Sequence, residues 1–150
     1  MGEEYGISRL EHRNEELDYA ILRLKERPSL SASQWGYLRL ARNDEPMTTQ
    51  TSLIIFQHPL GKNNEYAIGN FVQKEAQTNI FYHDAVTHQG SSGAPIINKG
   101  TLNVIGIHQG ENQDQKLRQG RLISSILDDL KIHKPDLYEK IIDSQNNWRS

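Results

Sequence analysis

The sequence of 150 residues contains no cysteine. That excludes a disulfide framework and thiolate chemistry, and it suits a cytoplasmic protein. Long apolar runs are also missing, so no segment reaches the roughly 20 residues that a membrane-spanning helix needs. The start, Met1-Gly2-Glu3-Glu4-Tyr5, lacks the basic opening and apolar stretch of a signal peptide. The expectation is therefore a cytoplasmic chain, or one whose leader is absent. Gly6 stands where a myristoylation signal needs serine or threonine, so that lipid anchor is set aside. There is no excess of one charge: 17 basic against 19 acidic residues leave a net charge of -2. Neither a nucleic acid nor an anionic membrane is expected as partner. The length fits one domain with a core of its own.

The pattern that is present is mostly that of short strands. Residues 17–24 alternate well enough for a strand that ends at Pro28. Small polar residues at 29–33 read as a linker. A short strand-like run comes next at Gly36 to Ala41, and a turn-rich stretch at Asn43 to Thr49 joins two packed units. Further strands are predicted over 52–57, 66–73, 79–82, 95–98 and 103–108. Turns at Pro59-Leu60-Gly61, Lys62-Asn63-Asn64 and Asn98-Lys99-Gly100 separate them. Closely spaced short strands argue for an all-β barrel in place of a helical or βαβ architecture. Leu122, Ile123, Ile126, Leu127 and Leu130 recur at helical spacing, so one amphipathic helix should dock on the barrel, with a second helical run at 137–142. Residues 145–150 are expected to fray, and the first sixteen residues read as polar and without a clear element.

The stretch richest in chemical content is Thr87-His88-Gln89-Gly90-Ser91-Ser92-Gly93-Ala94-Pro95. Glycines on both sides of a serine let backbone amides converge on one oxygen, which is what an oxyanion hole requires. Donors at Gly90 and Ser92 would each stabilise a developing oxyanion by roughly 3–4 kcal/mol. Taken alone, the string is equally compatible with a Gly/Ser-rich surface turn. The turn leads into a strand, a hairpin at Asn98-Lys99-Gly100 and a second strand, Val104-Ile105-Gly106-Ile107-His108, ending in Gln109-Gly110-Glu111.

This run resembles the nucleophile region of trypsin-like serine peptidases with the chymotrypsin fold, whose pattern is G-x-S-G-[GAS]-P. Upstream, Leu17-Asp18-Tyr19-Ala20-Ile21-Leu22-Arg23-Leu24 is similar to the family strand whose aspartate orients the catalytic histidine, and the two motifs stand in the family's order. The His58-Pro59-Leu60-Gly61 turn and the Tyr66-Ala67-Ile68-Gly69 strand also look like the family's second barrel, so the resemblance runs from about Leu17 to Leu130. It implies a trypsin-like antiparallel β-barrel: a remnant of the first barrel over 17–42, the second barrel over 50–120 and a helical segment over 121–142. It also implies a serine endopeptidase needing no cofactor. Ser92 would be the nucleophile, Asp18 the acid, Gly90 and Ser92 the oxyanion donors, and Gln109, Gly110 and Glu111 the edge that meets the peptide or protein substrate.

One part of the family pattern is missing. A serine hydroxyl needs a neighbouring base, and the family's histidine sits in a T-A-x-H motif well upstream of the aspartate. Here the sole upstream histidine is His12, in Glu11-His12-Arg13-Asn14, six residues from Asp18 and without that motif's apolar neighbours. It reads as a surface residue. The chain is then either part of a longer peptidase or a separate peptide-binding module that has lost proteolysis, and its apolar face calls for a missing N-terminal segment or a partner chain. By the same resemblance Val86 falls at the base of the specificity pocket, which disfavours a trypsin-type Lys/Arg preference. Thr87 and His108 resemble the pair with which glutamyl endopeptidases hold a substrate carboxylate; a packing role for His108 is the alternative. Six histidines invite a metal reading for His83, His88 and His108, but the His83-x4-His88 spacing fits no common zinc pattern and no metal is expected.

Overall fold

The computed structural model describes residues 4–27, 35–61, 63–112, 114 and 116–147. The linker expected at 29–33, Lys62 and residues 148–150 lie outside them. The chain divides into two compact units, 1–38 and 39–150.

The first unit is a two-stranded antiparallel hairpin of β1 (Ile7–Asn14) and β2 (Tyr19–Leu24). β1 was not expected, since Ile7–Asn14 is largely polar and three of its eight residues, Arg9, Glu11 and Arg13, are charged. What holds it is the cross-strand pairing and an ion cluster in which the Glu11 carboxylate accepts from Arg9 (2.8 Å) and Arg23. Those two guanidinium hydrogen bonds lower the Glu11 pKa to about 2. The expected strand over 17–24 begins two residues late. Residues 15–18 form the hairpin turn, with the Asn14 side chain accepting from the Leu17 amide and Asp18 in the left-handed region at φ 53°.

The second unit is a closed six-stranded antiparallel barrel. Its strands are β3 (Ser52–Gln57), β4 (Glu65–Lys74), β5 (Ile80–His83), β6 (Pro95–Asn98), β7 (Val104–Asn112) and β8 (Leu117–Leu122), in the order β3-β4-β5-β8-β7-β6. This is the all-β trypsin-like barrel that the sequence implied. Period-2 alternation drives it: Leu53, Ile55 and Gln57 of β3 all point inward and are buried. Phe81 fills the interior so closely that two neighbouring strand positions must lack a side chain. A Cβ on Gly106 would lie 2.7 Å from the Phe81 ring, and one on Gly120 2.6 Å from it. β8 was not seen in the sequence, because, of its two buried residues, Gly120 has no side chain and Leu122 was read as the start of the helical pattern. The run at 36–41 makes only a single bridge, Leu40 to Val104, and is not a strand.

The segment after residue 38 is fastened to the barrel by Glu45. Its carboxylate accepts from Asn98 Nδ2 (2.7 Å), Asn103 Nδ2 (2.7 Å) and Thr101 Oγ1 (2.8 Å). Helix α1 (Ile123–His133) buries Ile123, Ile126, Leu127 and Leu130, as the helical spacing predicted. Helix α2 (Pro135–Asn146) starts with proline in its first turn and runs through positions 145 and 146, where fraying was expected.

Candidate active site

The loop bearing Ser92 joins β5 to β6, and hydrogen bonds fix the backbone direction at several of its residues. Gly90 and Gly93 stand at φ 93° and 86°, a region that side chains avoid. The Ser91 amide donates to His88 O (3.1 Å) and the Ala94 amide to Ser91 O (3.0 Å). Strand β7 holds the far side, with the Gly93 amide donating to His108 O (2.7 Å) and the His108 amide to Ala94 O (2.8 Å). The Leu60 amide, from the turn at Pro59–Gly61, donates to Gln89 O at 2.7 Å.

These bonds fix where the expected oxyanion donors point. In a trans peptide the C=O and N–H lie antiparallel in one plane, and the chain has no cis peptide. Pinning Gln89 O on Leu60 therefore aims the Gly90 N–H away from that turn. Pinning Ser91 O on Ala94 likewise aims the Ser92 N–H the other way. Among the described residues, neither amide donates to a backbone carbonyl. Gly90 also tolerates little else at its position, because a Cβ there would sit 3.3 Å from both His58 O and Leu60 N.

Ser92 is exposed, while Ser91 beside it is buried, its Oγ donating to Gln57 Oε1 at 2.7 Å. A cleft of ≈ 340 Å³ opens here, lined by Gln57, His58, Asn64, Gly90, Ser92 and Pro95 among others. Gln57, His58 and Asn64 were not expected as site residues; the turns that hold His58 and Asn64 were legible, but not which loop they would face. The other expected site residues fall elsewhere. Thr87 is half-buried on the same loop, Val86 is exposed, and Gln109, Gly110 and Glu111 lie at or beside an irregularity in the β7–β8 pairing. Asp18 lies in the first unit, exposed. His12, expected at the surface, is half-buried there, edge-on to Tyr19.

His108 is buried, its ring edge-on to that of His83 with centroids 5.5 Å apart. Both ring nitrogens of His83 and Nδ1 of His108 have no hydrogen-bond partner among the described residues. Burial, then the neighbouring His108 and Arg118, pushes the His83 pKa down to about 3. Burial and Arg118 also lower His108, with Glu111 opposing. Both rings are therefore neutral at pH 7. Among the described residues no group of three or more His, Asp or Glu converges as metal ligands.

Residues 2–107 match a family model described as a trypsin-like peptidase domain. No curated protein sequence matches the chain significantly. Solved structures share the fold at low identity. The active form of the Rv3671c protease from M. tuberculosis is 18% identical with a TM-score of 0.67, over 84% of this chain and 57% of that one. A serine endoprotease from Yersinia pestis is 14% identical with a TM-score of 0.67, over 87% of this chain and 46% of that one. A Glu endopeptidase in complex with MPD is 14% identical with a TM-score of 0.62, over 79% of this chain and 58% of that one. This chain thus spans between 46% and 58% of the length of these three proteins.

Proposed function

The chain belongs to the trypsin-like peptidase family, and from that premise we propose that it is the serine-bearing part of an endopeptidase in which Ser92 attacks the peptide carbonyl. The observation that carries this reading is the pair of pinned peptide planes around Gly90 and Ser92, which leave two amides available to a developing oxyanion. In the first step the Ser92 Oγ–carbonyl bond forms, and collapse of the tetrahedral intermediate breaks the peptide bond and releases the amine. Water then hydrolyses the acyl-enzyme. The Ser92 proton needs an acceptor, and we assign that role to a histidine outside these 150 residues, oriented by Asp18 and supplied by a further segment of the polypeptide or by a partner chain. The 150 residues on their own are then expected to turn peptides over slowly or not at all.

Thr87 and His108 remain our candidates for holding an acidic residue before the scissile bond, with Gln109 to Glu111 as the backbone edge. A neutral His108 donates one hydrogen bond to such a carboxylate, and the carboxylate's arrival favours its protonation. The lack of a recognisable histidine base favours a second reading, a peptide-binding module without catalysis.

A peptidyl boronic acid separates the two. Boron attached to Ser92 Oγ becomes tetrahedral and places an anionic oxygen where the oxyanion would sit. The expected result is a tetrahedral boron NMR signal in the wild type that is absent in Ser92→Ala. Binding of the same peptide to both proteins, with boron trigonal throughout, would establish the binding module instead.

A further inference from the structure

The end of β3 and the turn after it touch the nucleophile loop at three points, two of them through the Gln57 side chain. Ser91 lies between the two donor amides, 2% exposed, and its Oγ donates to Gln57 Oε1 at 2.7 Å. Gln57, 3% exposed, turns its Nε2 to the carbonyl of Val86 at 3.3 Å. Three residues on, Leu60 at φ 55° supplies the amide that pins Gln89 O. Positions 86, 89 and 91 of the loop are thus held from one short stretch, residues 57–60.

A buried hydroxyl–amide pair is a poor way to gain stability. Each group gives up its hydration, and the net return of a neutral hydrogen bond is small, whereas an apolar pair of the same shape does as well or better. Such a pair does fix direction, because each group must find its one partner. Ser91 is also the residue whose carbonyl sets the Ser92 amide plane, and whose amide is bonded to His88 O. The hydroxyl bond ties the Ser91 Cα and Cβ to Gln57, so a backbone shift that carried Ser91 and its flanking peptides out of place would have to break it together with the backbone bonds.

We propose that Gln57 and Ser91 are positioning residues, a neutral brace that holds the Gly90 and Ser92 amides in the orientation that binds the oxyanion. The proposal rests on the reading of those amides as oxyanion donors. Neither residue touches the reacting atoms; each acts through the plane of a peptide bond. The brace contains no ionisable group, so the loop keeps its shape with no charge buried beneath it.

The test uses the full chain labelled with nitrogen-15. Amide positions and hydrogen exchange at Gly90 and Ser92 are compared in the wild type, Gln57→Leu, Ser91→Ala, the double variant and Gln57→Glu. Each single loss should move both amide resonances and speed exchange across 89–94 by tenfold or more, while amides of α1 stay in place. The double variant should move them no further than either single one. Gln57→Glu should return them towards the wild-type positions below the glutamate pKa, where the protonated carboxyl keeps an acceptor for Ser91 and a donor for Val86 O. If Gln57→Leu does not fold, Ser91→Ala, a change of one oxygen atom, carries the comparison with Ser91→Thr as its conservative partner.

Unmoved resonances with only a lower melting temperature would overturn the brace, and so would shifts that add in the double variant. Failure of the functional reading is visible separately. In that case the boronate forms no adduct with Ser92 in the wild type, although the amide shifts obey the brace as described.

Discussion

Acidification should destabilise the barrel through His83. Its imidazole is wholly buried beside His108, with a pKa lowered from 6.5 to about 3, so the folded state refuses a proton that the unfolded chain accepts below pH 6.5. Between those values the unfolded state binds more protons, and stability must rise with pH until it levels above 6.5. Moving from pH 7 to pH 5 spans about 1.5 pKa units of this window, which at about 1.4 kcal/mol per unit is a loss of about 2 kcal/mol. His108, lowered in the same direction, adds to it. Glu11 does not contribute here: its depressed pKa of about 2 gives stability that is present above 4.5 and lost only as pH falls below that. The assay is urea unfolding at pH 7, 6 and 5, monitored by amide resonances of the barrel itself, for the wild type and His83→Leu. The variant should lose about 2 kcal/mol less over the interval than the wild type does. Equal losses in both proteins would show that burial of neutral His83 does not make the barrel acid-sensitive.

Gly106→Ala should cost several kcal/mol, on the order of a severe overpacking, because the new Cβ would lie 2.4 Å from Arg121 O as well as against the Phe81 ring. Urea unfolding measures it, and a change below about 0.5 kcal/mol would show that the barrel interior yields freely. Gly90→Ala forces a side chain to φ 93° beside the His58 and Leu60 backbone. It should cost about 1–2 kcal/mol of stability and weaken boronate binding by tenfold or more, read by titration.

The barrel was legible where inward positions carry apolar side chains at period 2, as in Leu53 and Ile55, and where glycine, proline and asparagine mark turns. It was illegible where tertiary packing replaces that pattern. β8 turns Gly120 inward because Phe81 of another strand occupies the space. β1 is polar along much of its length and exists through its partner strand and the Arg9–Glu11–Arg23 cluster, none of which a local reading can weigh. Asp18 was read as part of a strand over 17–24, whereas the Asn14 to Asp18 turn needed one residue at positive φ, and an aspartate tolerates it.

The site was legible to the same degree. Ser92 and Gly90 announce themselves through glycine spacing, a local feature. Gln57, which reaches Ser91 across 34 residues, and Leu60, which pins Gln89, become visible only when β3 is folded against the loop. Long-range partners of this kind leave no trace in spacing.

Whether Ser92 acts as a nucleophile that needs an added base is decided by fluorophosphonate labelling with and without imidazole, the modified residue being located by peptide mass spectrometry. A single label on Ser92 is expected, slow in buffer, faster in proportion to imidazole, and absent in Ser92→Ala. No label on Ser92 at any imidazole concentration would contradict the nucleophile, and rapid labelling without imidazole would contradict the missing base.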